Sequence, residues 1–205
     1  MKNYLEKSMS FGEYVKLIDR LLAEGKTTGP VQSEAMFNYG KLNRQRMHRL
    51  EKTIVLEPET VFSIRSLGAR SIWLVITEGW CGDAAQNIPV IEKMAAENPY
   101  IETRYILRDE NPELMDRFLT NGARSIPKLI ALDAETLNVL GAWGPRPEAA
   151  QDVYRKSKEQ GKDKLLVMEE LQRWYNKDRS RSIQTEFREL AAQWTTEKNA
   201  LGLAV

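Results

Sequence analysis

The stretch Ser71-Ile72-Trp73-Leu74-Val75-Ile76-Thr77-Glu78-Gly79-Trp80-Cys81-Gly82-Asp83-Ala84 decides how this chain is read. Its first seven residues are apolar and rich in β-branched and aromatic side chains, the pattern of a strand buried on both faces. Helical spacing then runs from about Gly82 to Glu97, interrupted by Pro89. A thiol therefore stands just past a buried strand, at the start of a helix. First-turn N–H groups and the positive end of the helix dipole favour thiolate at such a place. The same strand–loop–helix pattern predicts that Cys81 is at least partly exposed.

Downstream, Tyr100 to Leu107 is a second strand candidate, followed by a short helix over Pro112 to Thr120. Two further strands, Ile126 to Leu132 and Leu137 to Trp143, are joined by Asp133-Ala134-Glu135-Thr136, which predicts an antiparallel hairpin. The order β-α-β-α-β-β makes an α/β sandwich with a mixed sheet. Gly144-Pro145-Arg146-Pro147 ends that pattern, and helices are expected at about 147–160, 163–177 and 181–198.

Upstream the chain reads as helical. Ser10 with Glu13 forms a capping box, Tyr14, Leu17, Ile18, Leu21 and Leu22 follow helical spacing, and Gly25 is placed to end the run. A second helix is predicted from about Ser33 to Lys52, and a third begins near Pro58. The expected organisation is a single domain with a helical N-terminal extension (1–68), a core (69–146) and a helical C-terminal part (147–205). The stripes Leu17–Leu22 and Ile183, Phe187, Leu190, Ala191, Trp194 are too wide to stay exposed, so both ends should pack on the core.

Composition narrows the chemistry. Lys and Arg number 30 against 29 Asp and Glu, a net charge of +1, so nothing favours nucleic acid or an anionic membrane as partner. The basic run Arg44 to Lys52 reads as a solvated helix face. No stretch of 18 uncharged apolar residues occurs, and the first 25 residues are too charged for a signal peptide, so a cytoplasmic protein is expected. One cysteine excludes an internal disulfide, and one histidine beside it excludes the usual zinc clusters, so no metal is expected. Gly25-Lys26-Thr27 imitates the end of a phosphate loop, but Arg20 holds the place of the upstream glycine and a helix precedes it. His48 has no nucleophile partner at recognisable spacing, and Glu169-Glu170 reads as solvation.

Trp80-Cys81-Gly82 resembles the start of the Trp-Cys-Gly-Pro-Cys active site of the thioredoxin-like superfamily, and Ser125-Ile126-Pro127 resembles its cis-proline segment. Gly122-Ala123-Arg124 and Trp143-Gly144-Pro145-Arg146-Pro147 look like a bacterial branch with helical extensions. The resemblance covers roughly residues 60 to 160. It implies a three-layer α/β/α thioredoxin-like fold, a cis Ile126–Pro127 bond facing Cys81, and a substrate groove formed by Trp80, Gly82, Asp83, Ala84, Ile126 and Pro127. The departures matter as much. Ala84 stands where the family has its resolving cysteine, so intramolecular release of a mixed disulfide is impossible. Asp83 replaces the proline, and its charge opposes thiolate by about 1–2 kcal/mol.

Two readings follow. In the first, Cys81 is the nucleophile of a monothiol oxidoreductase acting on protein or small-molecule disulfides, released by an external low-molecular-weight thiol such as glutathione, with no bound cofactor. In the second, the fold has lost redox activity and the groove near Trp80, Ile126 and Pro127 holds a partner peptide by backbone pairing. Substrate, regenerating thiol and oligomeric state stay open at this level.

Overall fold

The computed structural model describes residues 1–200, with side chains as far as residue 198. Residues 201–205 of the expected C-terminal part lie outside the described residues. The elements are α1 (Lys2–Lys7), α2 (Phe11–Ala23), α3 (Glu34–Thr53), α4 (Pro58–Arg65), β1 (Ser71–Thr77), α5 (Gly82–Ala95), β2 (Ile101–Leu107), α6 (Pro112–Asp116), β3 (Lys128–Asp133), β4 (Val139–Trp143), α7 (Glu148–Glu159), α8 (Lys164–Asp178) and α9 (Arg181–Ala200). The strands form one mixed sheet in the order β2-β1-β3-β4. β1 runs parallel to β2 and antiparallel to β3, which pairs antiparallel with β4. This is a thioredoxin-like α/β fold with added helices. Among the described residues no helix is long and apolar enough to cross a membrane.

Register explains why the C-terminal helix lands where it does. Val75 pairs with Tyr105 and Leu129, Trp73 with Ala131, Ala131 with Gly141, and Leu129 with Trp143, so these side chains share one face. On that face Trp73 meets Phe187 and Trp194 of α9 edge-on, at ring separations of 5.4 and 5.8 Å. Trp143 meets Phe187 at 5.3 Å. From the N-terminal side, Tyr14 of α2 stacks on Tyr105 at 5.4 Å and its hydroxyl lies 3.1 Å from Thr77 Oγ1. Tyr14, Ile18, Ile183, Phe187 and Trp194 thus join the strands in one buried cluster. A smaller cluster of Ala150, Val167, Leu171 and Tyr175 ties α7 to α8.

Trp194 lies flat enough to touch the sheet because position 141 has no side chain. A Cβ there would fall 2.3 Å from Trp194 Nε1. Gly141→Ala should therefore lower stability by about 1–3 kcal/mol through overpacking, read as a shift of the urea unfolding midpoint at constant slope. An unshifted midpoint would mean that α9 moves aside freely.

Several boundaries differ from the sequence expectation. α5 runs unbroken through Pro89, which removes one N–H inside the helix but does not end it. β3 starts at Lys128, two residues later than expected, since Ile126 and Pro127 serve the site instead of the ladder. β4 starts at Val139 because Leu137 adopts a left-handed φ of 60° in the turn, where Asp133 Oδ1 accepts from the Glu135 and Thr136 N–H groups. α6 stops at Asp116, short of Thr120. α1 falls in the stretch expected to be helical, though the sequence delimits no separate element there. After it, Met9 exchanges two backbone hydrogen bonds with Tyr105, of 2.8 and 2.7 Å, on the free edge of β2.

Candidate functional site

The loop from β1 to α5 is held from both sides. Thr28 Oγ1 accepts from the Gly79 N–H at 2.8 Å, and the Asn43 amide of α3 donates to the Gly79 carbonyl at 3.2 Å. Cys81 then takes the N-cap position of α5. Its sulfur accepts the Ala84 N–H at 3.4 Å and donates to the Ile126 carbonyl at 3.2 Å. The next peptide bond, Ile126–Pro127, is cis. The thiol, Ile126, Pro127 and Ala84 are thus brought together as a group, while the Trp80 ring lies against Gly29. Its face carries the Arg108 guanidinium at 4.7 Å.

The sequence reading expected an exposed sulfur, and the structure corrects it. Cys81 is only 8% exposed, Ile126 is 5% exposed, and Ala84 and Pro127 are buried. The first turn of α5 is flanked by Asn43 and Arg46 of α3 and Gln172 of α8, and its Asp83 is held by two residues further along the chain. Arg146 forms a 2.6 Å ion pair with Asp83, and the Tyr175 hydroxyl donates to the other Asp83 oxygen at 2.7 Å. The Asn87 amide links Tyr175 and the Asp83 carbonyl, at 3.0 and 2.9 Å. Arg146 itself lies over the Tyr154 ring at 4.6 Å and donates to Gln151 at 3.0 Å. Gln172 of α8 accepts from Gln86 at 2.7 Å. Residues 83, 146 and 175 therefore form a clamp that joins the first turn of α5 to the α7–α8 unit.

Two buried charged residues complete the surroundings. Lys128, 7% exposed, donates to Thr120 Oγ1 at 2.6 Å and to the Gly144 carbonyl at 2.8 Å, so it fixes the segment leading to Arg146. Gly144 lies so close to Pro127 that a Cβ would fall 2.2 Å from the Pro127 carbonyl oxygen, and its φ is +110°. Glu78 is fully buried. One carboxyl oxygen accepts the Asp109 N–H at 2.9 Å, the other has no partner, and burial raises its pKa. Neither residue could be singled out from sequence, because a Lys or Glu at a strand end normally reads as solvated.

Burial dominates the electrostatics of the sulfur. It pushes the Cys81 thiol up to about 12, with the Asp83 charge adding to the rise. The Ala84 and Asp83 N–H groups and Arg146 pull in the other direction and are outweighed. The competition between helix dipole and carboxylate foreseen from the sequence is thus decided by a third effect, the cost of charging a covered atom.

A mixed sheet feeding a helix capped by a thiol, with an X-Pro bond beside the sulfur, defines a thioredoxin-fold protein. The family profile described as Thioredoxin matches residues 29–162, and the chain belongs to that family. Among solved structures it is similar to a Pseudomonas aeruginosa protein of unknown function, at 17% identity and a TM-score of 0.52. It is also similar to an HIV epitope-scaffold, at 16% identity and a TM-score of 0.50. Each likeness covers 94% of this chain and 99% of the other, and at such identities it speaks for the fold alone. No curated protein matches the sequence.

Proposed function

We propose that this thioredoxin-family chain is a masked monothiol exchange protein, in which Cys81 reacts only when the Arg146–Asp83–Tyr175 clamp opens. The observation that carries the reading is the placement of a lone sulfur at the N-terminus of α5, with the Ala84 N–H on it and Pro127 beside it, on the helix turn whose Asp83 is held by Arg146 and Tyr175. Opening returns the thiol to water and lowers its pKa toward the ordinary range, where the helix terminus favours thiolate. The thiolate then attacks a disulfide R–S–S–R′. The Cys81–S–S–R bond forms, the S–S bond of the substrate breaks, and R′–S⁻ leaves and takes up the Cys81 proton. An external thiol attacks the mixed disulfide, carries R away as a new disulfide and restores Cys81. Ala84 offers no internal route to release.

The second reading, a redox-inactive binding or scaffold protein, leaves Cys81 a purely structural role, and one observation favours that part of it. The sulfur makes both hydrogen bonds that a serine N-cap would make, to the Ala84 N–H and the Ile126 carbonyl. Mass spectrometry after incubation with oxidised glutathione separates the two. Native protein should gain one glutathionyl adduct at Cys81, slowly, and Tyr175→Phe, which unlatches Asp83, should gain it at least about fivefold faster. Dithiothreitol should remove it. If neither protein is modified while an unfolded control is, the structural reading stands and the exchange reading falls.

A further inference from the structure

A cavity of about 620 Å³ opens where the C-terminal end of α3, the 54–58 segment and the α8–α9 turn meet, with Gln86 and Tyr175 on the wall nearest the Cys81 site. Three arginines are among the residues lining it: Arg49 from α3, Arg179 from the end of α8 and Arg181 from the start of α9. The one carboxylate on its wall, Glu57, is already bound to Arg188 at 2.9 Å. Arg49 has only the Asn176 amide, at 3.5 Å. Among the described residues no carboxylate lies within ion-pair distance of Arg49, Arg179 or Arg181, whereas nine of the thirteen other arginines form ion pairs.

The walls are pre-formed. Gln184, 1% exposed, accepts the Glu57 N–H at 2.7 Å and donates to the Ser180 carbonyl at 3.0 Å, so one side chain pins the 54–58 segment to the α8–α9 turn. That turn holds two consecutive non-glycine residues in the left-handed region, Arg179 at φ 53° and Ser180 at φ 63°. Such a conformation is costly and persists only when its surroundings fix it. Its result is to bring Arg179 and Arg181 to the same cavity. Three arginines without a carboxylate partner around one concave site favour a planar or tetrahedral polyanion over a neutral ligand.

We propose that this cavity binds a small molecule carrying two or more negative charges, as phosphate or carboxylate groups, through Arg49, Arg179 and Arg181. Isothermal titration with sodium pyrophosphate and, separately, with succinate tests it on the full chain. Saturable one-to-one binding is expected, weakening as salt is raised. The double variant Arg179→Gln/Arg181→Gln should bind about tenfold more weakly or worse, with an unchanged melting transition because both side chains are exposed. Binding of pyrophosphate alone identifies a phosphate-bearing ligand, binding of succinate alone a carboxylate, and binding of both a site for polyanions generally. The proposal is overturned if neither binds, or if binding survives intact both in the double variant and in Arg49→Gln.

Discussion

Native protein at neutral pH should react with iodoacetamide about a thousandfold more slowly than a simple thiol. The Cys81 pKa moves from an ordinary 9.0 to about 12, and the alkylation rate follows the thiolate fraction, which falls tenfold for each unit. The pH dependence has a definite sign. A thiol whose folded pKa is raised keeps its full contribution to stability below the unfolded value and loses it as pH rises toward the folded one. Labelling should therefore climb without levelling off through the range where a free thiol has already reached its plateau, and stability should decline over the same window. Steric cover slows the reaction further, so the thousandfold figure is a lower bound on protection. A labelling rate within tenfold of a model thiol at neutral pH, in protein that melts normally, would show that the cover does not exist in solution.

Asp83→Ala should be the most damaging single substitution at the site, costing about 3–5 kcal/mol, because it strands a buried cation. The Arg146 side chain is 12% exposed, and its Nε already lacks a partner. Without Asp83 its remaining acceptor is Gln151, and the Tyr175 hydroxyl also loses its acceptor. Asp83→Ala/Arg146→Met removes both charges and should recover most of the loss, since replacing a buried pair by apolar groups is close to neutral. Urea unfolding of the two single variants and the double gives the coupling directly. Among the survivors, labelling of Cys81 should rise, because the charge that adds to the burial-driven rise of its pKa is gone and the clamp is open. Should the single variant lose less than about 1 kcal/mol, the clamp is a surface ornament.

What could be read from the sequence was whatever depends on neighbours. Ser71–Thr77 announces a buried strand because its residues are apolar on both faces, and Ser10 with Glu13 announces a helix start through a three-residue contact that does form. The position of Cys81 at a helix N-terminus is legible for the same reason. Its burial is not, because it depends on distant chain: the Ile126 carbonyl on the sulfur lies 45 positions away, and Arg146 and Tyr175, which hold the adjacent Asp83, lie 63 and 92 positions from it. Nothing in a local pattern marks Tyr175 as a donor rather than one more apolar residue of α8. The helix through Pro89 shows the opposite failure. There the local signal was real, but Ile88, Pro89 and Val90 are all buried, and packing outweighs one lost hydrogen bond.

The short N-terminal segment has a role that its composition conceals. A parallel-paired strand at the margin of a sheet presents a row of open amides and carbonyls, and here Met9 occupies the middle of that row by its two bonds to Tyr105. Arg104 reinforces the same seam by donating to the Ser8 carbonyl at 2.6 Å and to its hydroxyl at 2.9 Å. The segment is thus a selvedge: it stops the fabric of the sheet from being continued by another molecule. Trimming the chain before Ser10 would leave the Cys81 motif and the clamp in place, but would remove Met1, Tyr4, Leu5 and Met9 from the core and reopen the edge of β2 to other molecules.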